Sequence, residues 1–149
     1  MTDIALTVNK ERVYEEVAQT TSYTGAKMND ELAYNRIFTT DEDKSMLERF
    51  WNESKNTACN SLKKILLNEV EREGIYQLSL GLSSSFDEAL TESMERSLFS
   101  FFVMNITAKW YTFTNKEEAT GYATEAATYM EDVMRKAFFK KRPIRPTYN

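Results

Sequence analysis

The stretch IYQLSLGLSS, Ile75–Ser84, decides what kind of fold this chain can make. Tyr76, Leu78, Leu80 and Leu82 alternate with Gln77, Ser79, Gly81 and Ser83, the period-two pattern of a strand buried on one face. A lone strand leaves its backbone donors and acceptors unpaired, so it needs a partner. The N-terminal IALTV (Ile4–Val8) is a weak candidate within the chain. Otherwise a strand of another molecule must complete the ladder, which points to assembly.

The segments on either side read as helices. Upstream, Thr40 with Asp41, Glu42 and Asp43 makes a helix start, a hydroxyl cap followed by carboxylates at the positive end of the dipole. Leu47, Phe50, Trp51, Ser54, Ala58, Leu62, Ile65 and Leu66 then form a stripe at steps of three and four, and Gly74 ends the helix. Nearer the N-terminus, a helix from about Val8 carries Val13, Tyr14, Val17 and Ala18 and closes at Gly25. A short helix is read in Asn29–Phe38, with Leu32 and Ile37 inward.

Downstream, Ser85-Phe86-Asp87-Glu88 reads as a capping box that opens a helix running to about Phe113. Leu98, Phe102, Ile106 and Trp110 make one stripe on it; Phe101, Met104, Ala108 and Tyr111 make a second. Two apolar faces imply either a central helix or one face turned to a neighbouring molecule. Thr114-Asn115-Lys116-Glu117 forms a tight corner into a last helix with Ala119, Tyr122, Ala126, Tyr129, Met130, Val133 and Ala137 on one side. The reading is mainly α: an antiparallel bundle of about four helices with one short β-strand or hairpin and an extended C-terminal arm. Residues 1–142 form a single helical domain and 143–149 the arm.

Charge is distributed unevenly. The chain carries −4 at pH 7, yet Arg135–Asn149 hold six cations and no anion, which leaves −10 for residues 1–134. The body is therefore a poor general nucleic-acid binder. The ending KKRPIRPTYN reads as a docking arm. Pro143 and Pro146 pre-set an extended path, Ile144 and Tyr148 are apolar anchors, and Arg142 and Arg145 are planar donors. Tyr76, Leu78 and Leu80 of the strand, with Phe101, Met104 and Tyr111 of the second stripe, are the expected subunit interface.

Catalytic chemistry is sparse. There is no histidine, one cysteine (Cys59) and four scattered glycines, so the commonest general base, a zinc cage and a phosphate-cradling loop all lack their residues. Asp41–Asp43 and Glu117-Glu118 are consecutive and read as charged first turns. Trp51 and Trp110 read as core anchors, and Cys59 as a small buried hydrophobe. No enzyme activity, cofactor or metal is expected. The apolar run Leu98–Phe113 has sixteen residues and contains Asn105 and Lys109, too short and too polar for a span of about twenty. The N-terminus has no leader-like run, and a single cysteine suits a reducing compartment.

Two passages, YQLSLGLSSSFDEALTESMERSLFSFFVMNITAKWY (Tyr76–Tyr111) and TNKEEATGYATEAATYMEDVMRKAFFKKRPIRP (Thr114–Pro146), resemble structural proteins of tailed phages and prophages of Bacteroides-type bacteria. The Thr40–Leu66 helix is similar to helices of phage head–tail connector (adaptor) proteins, and the resemblance spans residues 34–146. It implies a virion protein of the head–tail neck, made in the host cytoplasm. Such a protein would form a twelve-fold ring of copies that contacts the portal protein and tail or stopper proteins around the DNA passage. The alternatives are another neck or tail-completion protein, or a small nucleic-acid-binding regulator using the basic end.

Overall fold

The computed structural model describes residues 2–27 and 44–140. Strand β1 (Thr2–Asn9) leads into helix α1 (Lys10–Lys27), and α2 (Lys44–Ser61) is followed by the hairpin β2 (Leu66–Arg72) and β3 (Ile75–Leu82). A 3₁₀ turn (Glu88–Leu90) opens α3 (Thr91–Thr114), which turns directly into α4 (Lys116–Ala137). The three strands form one antiparallel sheet in the order β1-β3-β2. The fold is thus α+β, not the mainly α bundle with a single strand or hairpin that the periodicity predicts.

The difference arises at two places. Leu62, Ile65 and Leu66 continue the apolar spacing of α2, so the pattern reads as one long helix to Gly74. Instead the helix stops at Ser61, and Ile65 and Leu66 each bond back to the Leu62 carbonyl, both at 2.9 Å. Beyond that corner the chain pairs with β3 from Leu66↔Leu80 to Arg72↔Ile75, with a bulge between Leu66 and Asn68. The hairpin turn is Glu73-Gly74, with φ of 51° and 80°. Two successive left-handed residues give the tight turn whose twist matches flanking strands. Gly74 therefore serves a β-turn rather than a helix cap.

The second place is the N-terminus. Residues before Lys10 are extended, and IALTV pairs with β3 in the register Ile4↔Leu80, Leu6↔Leu78, Val8↔Tyr76. The partner that the strand 75–82 requires lies within the chain on both of its sides. Asn9 then caps α1, its Oδ1 accepting the Arg12 amide at 3.2 Å.

One sheet face is buried through Leu6, Val8, Tyr76, Leu78, Leu80 and Leu82. Helix α3 packs against β1, α1, α2 and α4, so its two apolar stripes are those of a central helix. The corner at Asn115 sets α3 and α4 antiparallel, as the sequence suggests. Asp132 clamps this hairpin: its carboxylate takes Ser97 Oγ at 2.6 Å and Lys136 Nζ at 2.7 Å, while Arg135 reaches it at 2.9 Å.

Burial works against the Asp132 carboxylate, but the hydrogen bonds from Lys136, Ser97 and Arg135 outweigh it and hold its pKa at about 2. A folded-state pKa below the unfolded one gives stability that is complete above about pH 4 and is lost as pH falls towards about 2. Asp132→Asn should therefore lower the unfolding free energy at neutral pH by on the order of 1 kcal/mol, after allowance for solvent screening. It should also flatten the decline between about pH 4 and pH 2, read from urea titrations at each pH.

Candidate functional site

The residues that sequence reasoning assigned to a subunit interface are used inside the molecule. Tyr76, Leu78, Leu80, Phe101 and Tyr111 are buried in the chain's own core, and Met104 is partly buried against it. Their apolar pattern is accounted for by β3 being the central strand and α3 the central helix. The docking arm, Arg142, Pro143, Ile144, Arg145, Pro146 and Tyr148, lies outside the described residues, as do Thr40–Asp43 and the short helix read in Asn29–Phe38.

The densest polar chemistry sits where α2 crosses the inner face of the sheet. Strand β2 turns Glu69 and Glu71 inward beside Leu78 and Tyr76 of β3. Glu71 accepts the Trp51 indole N–H at 3.0 Å and Lys55 Nζ at 2.6 Å, with Lys10 Nζ 3.7 Å away. Lys10 also pairs with Glu48 at 2.5 Å, and Tyr14 donates to the same carboxylate at 3.0 Å. Burial opposes the Glu71 charge, yet Lys55, Trp51 and Lys10 outweigh it and hold its pKa below the ordinary carboxylate range. Desolvation, then the Glu48 hydrogen bond, pushes the Tyr14 phenol up.

Beside this network, Glu69 accepts Cys59 Sγ–H at 2.8 Å and the Tyr76 hydroxyl, while Cys59 and Tyr76 lie 3.2 Å apart. The two donors lower the Glu69 pKa. Burial first, then hydrogen bonding to its neighbours, raises the Tyr76 phenol. The Cys59 thiol is raised by desolvation and by its bond to Glu69. Every shift keeps each group in its resting form: carboxylates ionised, thiol and phenols protonated. A nucleophilic cysteine needs the opposite shift. This cluster locks an edge strand onto α2; it does not activate a group.

A cleft of about 610 Å³ runs between β1, the start of α1 and α3. Glu15, Glu16, Glu95, Arg12 and Arg96 line it, a mixed-charge surface groove. Glu95 there accepts the Thr7 amide at 3.0 Å, covering part of the β1 edge. Among the described residues, no group of three or more His, Cys, Asp or Glu is placed to hold a metal ion. No helix among them is long and apolar enough to cross a membrane.

Against this closed interior, six large hydrophobic side chains of the described residues stand in solvent. Val70 and Ile75 occupy the outer sheet face, with Leu67 (52% exposed) beside the bulge. Phe113 (68%) marks the α3–α4 corner, stacked 6.1 Å from Phe50, and Phe138 (60%) and Phe139 (55%) follow the far end of α4. Sequence reasoning missed these positions because periodicity marks which face is apolar, not where the end or outer face of an element is left in solvent. No protein-family model, curated protein or solved structure matches the chain.

The Cys59 assignment has a kinetic consequence. Iodoacetamide at mildly alkaline pH should alkylate Cys59 several-fold more slowly in the folded protein than in urea. Glu69→Gln, which removes the accepting charge that favours the protonated thiol, should narrow that gap. Equal folded and unfolded rates would mean the thiol is not held by Glu69.

Proposed function

We propose that this chain is a structural component of a multi-copy assembly, and that the assembly is the connector ring between the portal and the tail of a tailed phage. The carrying observation is where apolar surface remains once the core is closed. Val70 and Ile75 lie on the outer side of the sheet with Leu67 beside the bulge, and Phe113, Phe138 and Phe139 lie at the two ends of the α3–α4 hairpin. Exposed large hydrophobes gathered at edges and ends suit burial against neighbours. The resemblance of Tyr76–Tyr111 and Thr114–Pro146 to phage structural proteins, with that of the Thr40–Leu66 stretch to helices of connector proteins, favours the connector among such assemblies.

In this reading the portal protein, tail or stopper proteins and further copies of the chain are the partners, and the arm from Arg142 to Tyr148 clasps one of them. The net −10 on residues 1–134 suits a wall past which DNA slides without adhering. The chain works by geometry and adhesion, without a catalytic step.

Mass spectrometry of purified particles from the source host tests this directly. The expected result is a copy number equal to that of the portal protein, and accumulation of tailless heads when residues 143–149 are deleted. Absence from particles, with the protein abundant in the induced cells, would remove the connector reading.

A further inference from the structure

We propose that the two ends of the α3–α4 hairpin are complementary halves of one contact between copies of this chain. The Phe138–Lys140 end of one copy seats in the hollow over Gly121 of the next. The choice of a second copy as occupant rests on the multi-copy reading above.

The receiving half is a hollow of about 380 Å³ on α4, lined by Glu118, Gly121, Tyr122 and Glu125. Spacings of three and four put these residues on one helix face. No ion pair of the described residues involves Glu118 or Glu125, so both carboxylates face solvent uncompensated. Exposed Phe113 stands at the same end of the hairpin. Gly121 is the telling residue. Glycine is a poor helix former, and its missing side chain leaves the helix backbone open to close approach. A Cβ built on Gly121 would meet nothing within 4 Å, so none of the described residues requires the glycine. A second molecule approaching the helix backbone would.

The inserting half lies past the other end of α4. Phe138 and Phe139 are more than half exposed, followed by Lys140. The segment is fixed before any partner arrives. The Phe138 amide bonds to the Arg135 carbonyl at 3.3 Å, the Phe139 amide to that of Lys136 at 3.1 Å, and Lys140 forms an antiparallel bridge with Phe86. An ordered aromatic knob loses little entropy on docking.

The two halves match in sign and character: carboxylates and aromatics at one end, a cation and aromatics at the other. The rise of α4 separates Gly121 from Phe138 by about 26 Å, so the halves cannot meet within one molecule. Each copy then gives one half and receives the other. Such a heterologous contact closes into a ring or extends as a filament, according to the rotation between copies.

Sedimentation of the purified full-length chain over a concentration series, with and without Gly121→Leu, tests the contact. Leucine fills the hollow and is a better helix former than glycine, so the variant should melt at the same or a higher temperature. Its self-association should nevertheless weaken at least about tenfold. E118K/E125K should weaken association similarly, and adding Lys140→Glu to that variant should recover part of it. A wild-type chain that stays monomeric at every attainable concentration overturns the contact, as does a Gly121→Leu chain that associates like wild type. The connector reading stands or falls separately. If Gly121→Leu leaves association intact while particles contain the protein, only the contact is wrong. If particles lack the protein but Gly121→Leu dissolves the association, the contact stands and the connector does not.

Discussion

The indole of Trp51 is the point on which the rest of the structure depends. It is fully buried and lies 4.7 Å from Phe102 of α3, 6.0 Å from Tyr76 of β3 and 6.3 Å from Tyr14 of α1. Its one polar atom, which could not be left unpaired in such a place, donates to Glu71 of β2. A single side chain on α2 thus touches two helices and two strands. The aromatic contacts supply burial, and the N–H fixes which way the indole points, so the sheet and the helices take one relative position.

That constraint also explains why β2 is tolerable as an edge strand. Its inward positions next to the core are Glu69 and Glu71, where an alternating strand would place hydrophobes. Inward charges discourage an edge from pairing with stray strands. They are stable here because Trp51, Lys55, Cys59 and Tyr76 supply their donors. The same charges hid the strand from sequence reading. LLNEVER has no apolar alternation, and Leu62, Ile65 and Leu66 fit the helical stripe before it. Only the Glu73-Gly74 turn marked the hairpin, and a glycine after a helical pattern reads equally well as a cap. The strand β3 and the helices α3 and α4 were legible because each buries one continuous periodic face. Strand β1 was legible only as a partner that β3 demanded.

The expected interface shows the same limit from the other side. Periodicity reports that a face is buried, but not by what. Tyr76, Leu78, Leu80, Phe101 and Tyr111 satisfy it with the chain's own sheet and helices. Adhesive surface has to be sought instead where a large hydrophobe breaks the pattern. Phe138 and Phe139 do so past α4, while Phe113 keeps step with Ile106 and Trp110 and is nevertheless exposed at the α3–α4 corner. The glycine of the hollow was visible from the start, but its exposure and the space above it were not.

The charge polarity of α4 has an internal cause as well as the external use proposed for it. Glu117 and Glu118 in the first turn and Arg135 and Lys136 in the last complement the helix dipole within one molecule. Any helix built this way has ends of opposite sign, so charge alone would let α4 attract many partners, and salt would screen the attraction. Selectivity must therefore come from shape. A glycine with no described residue above it, placed between Glu118 and Glu125, and a pair of phenylalanines on a hydrogen-bonded turn at the opposite end are features the dipole does not require. They are what could turn a generic polarity into a contact that accepts this chain and rejects others.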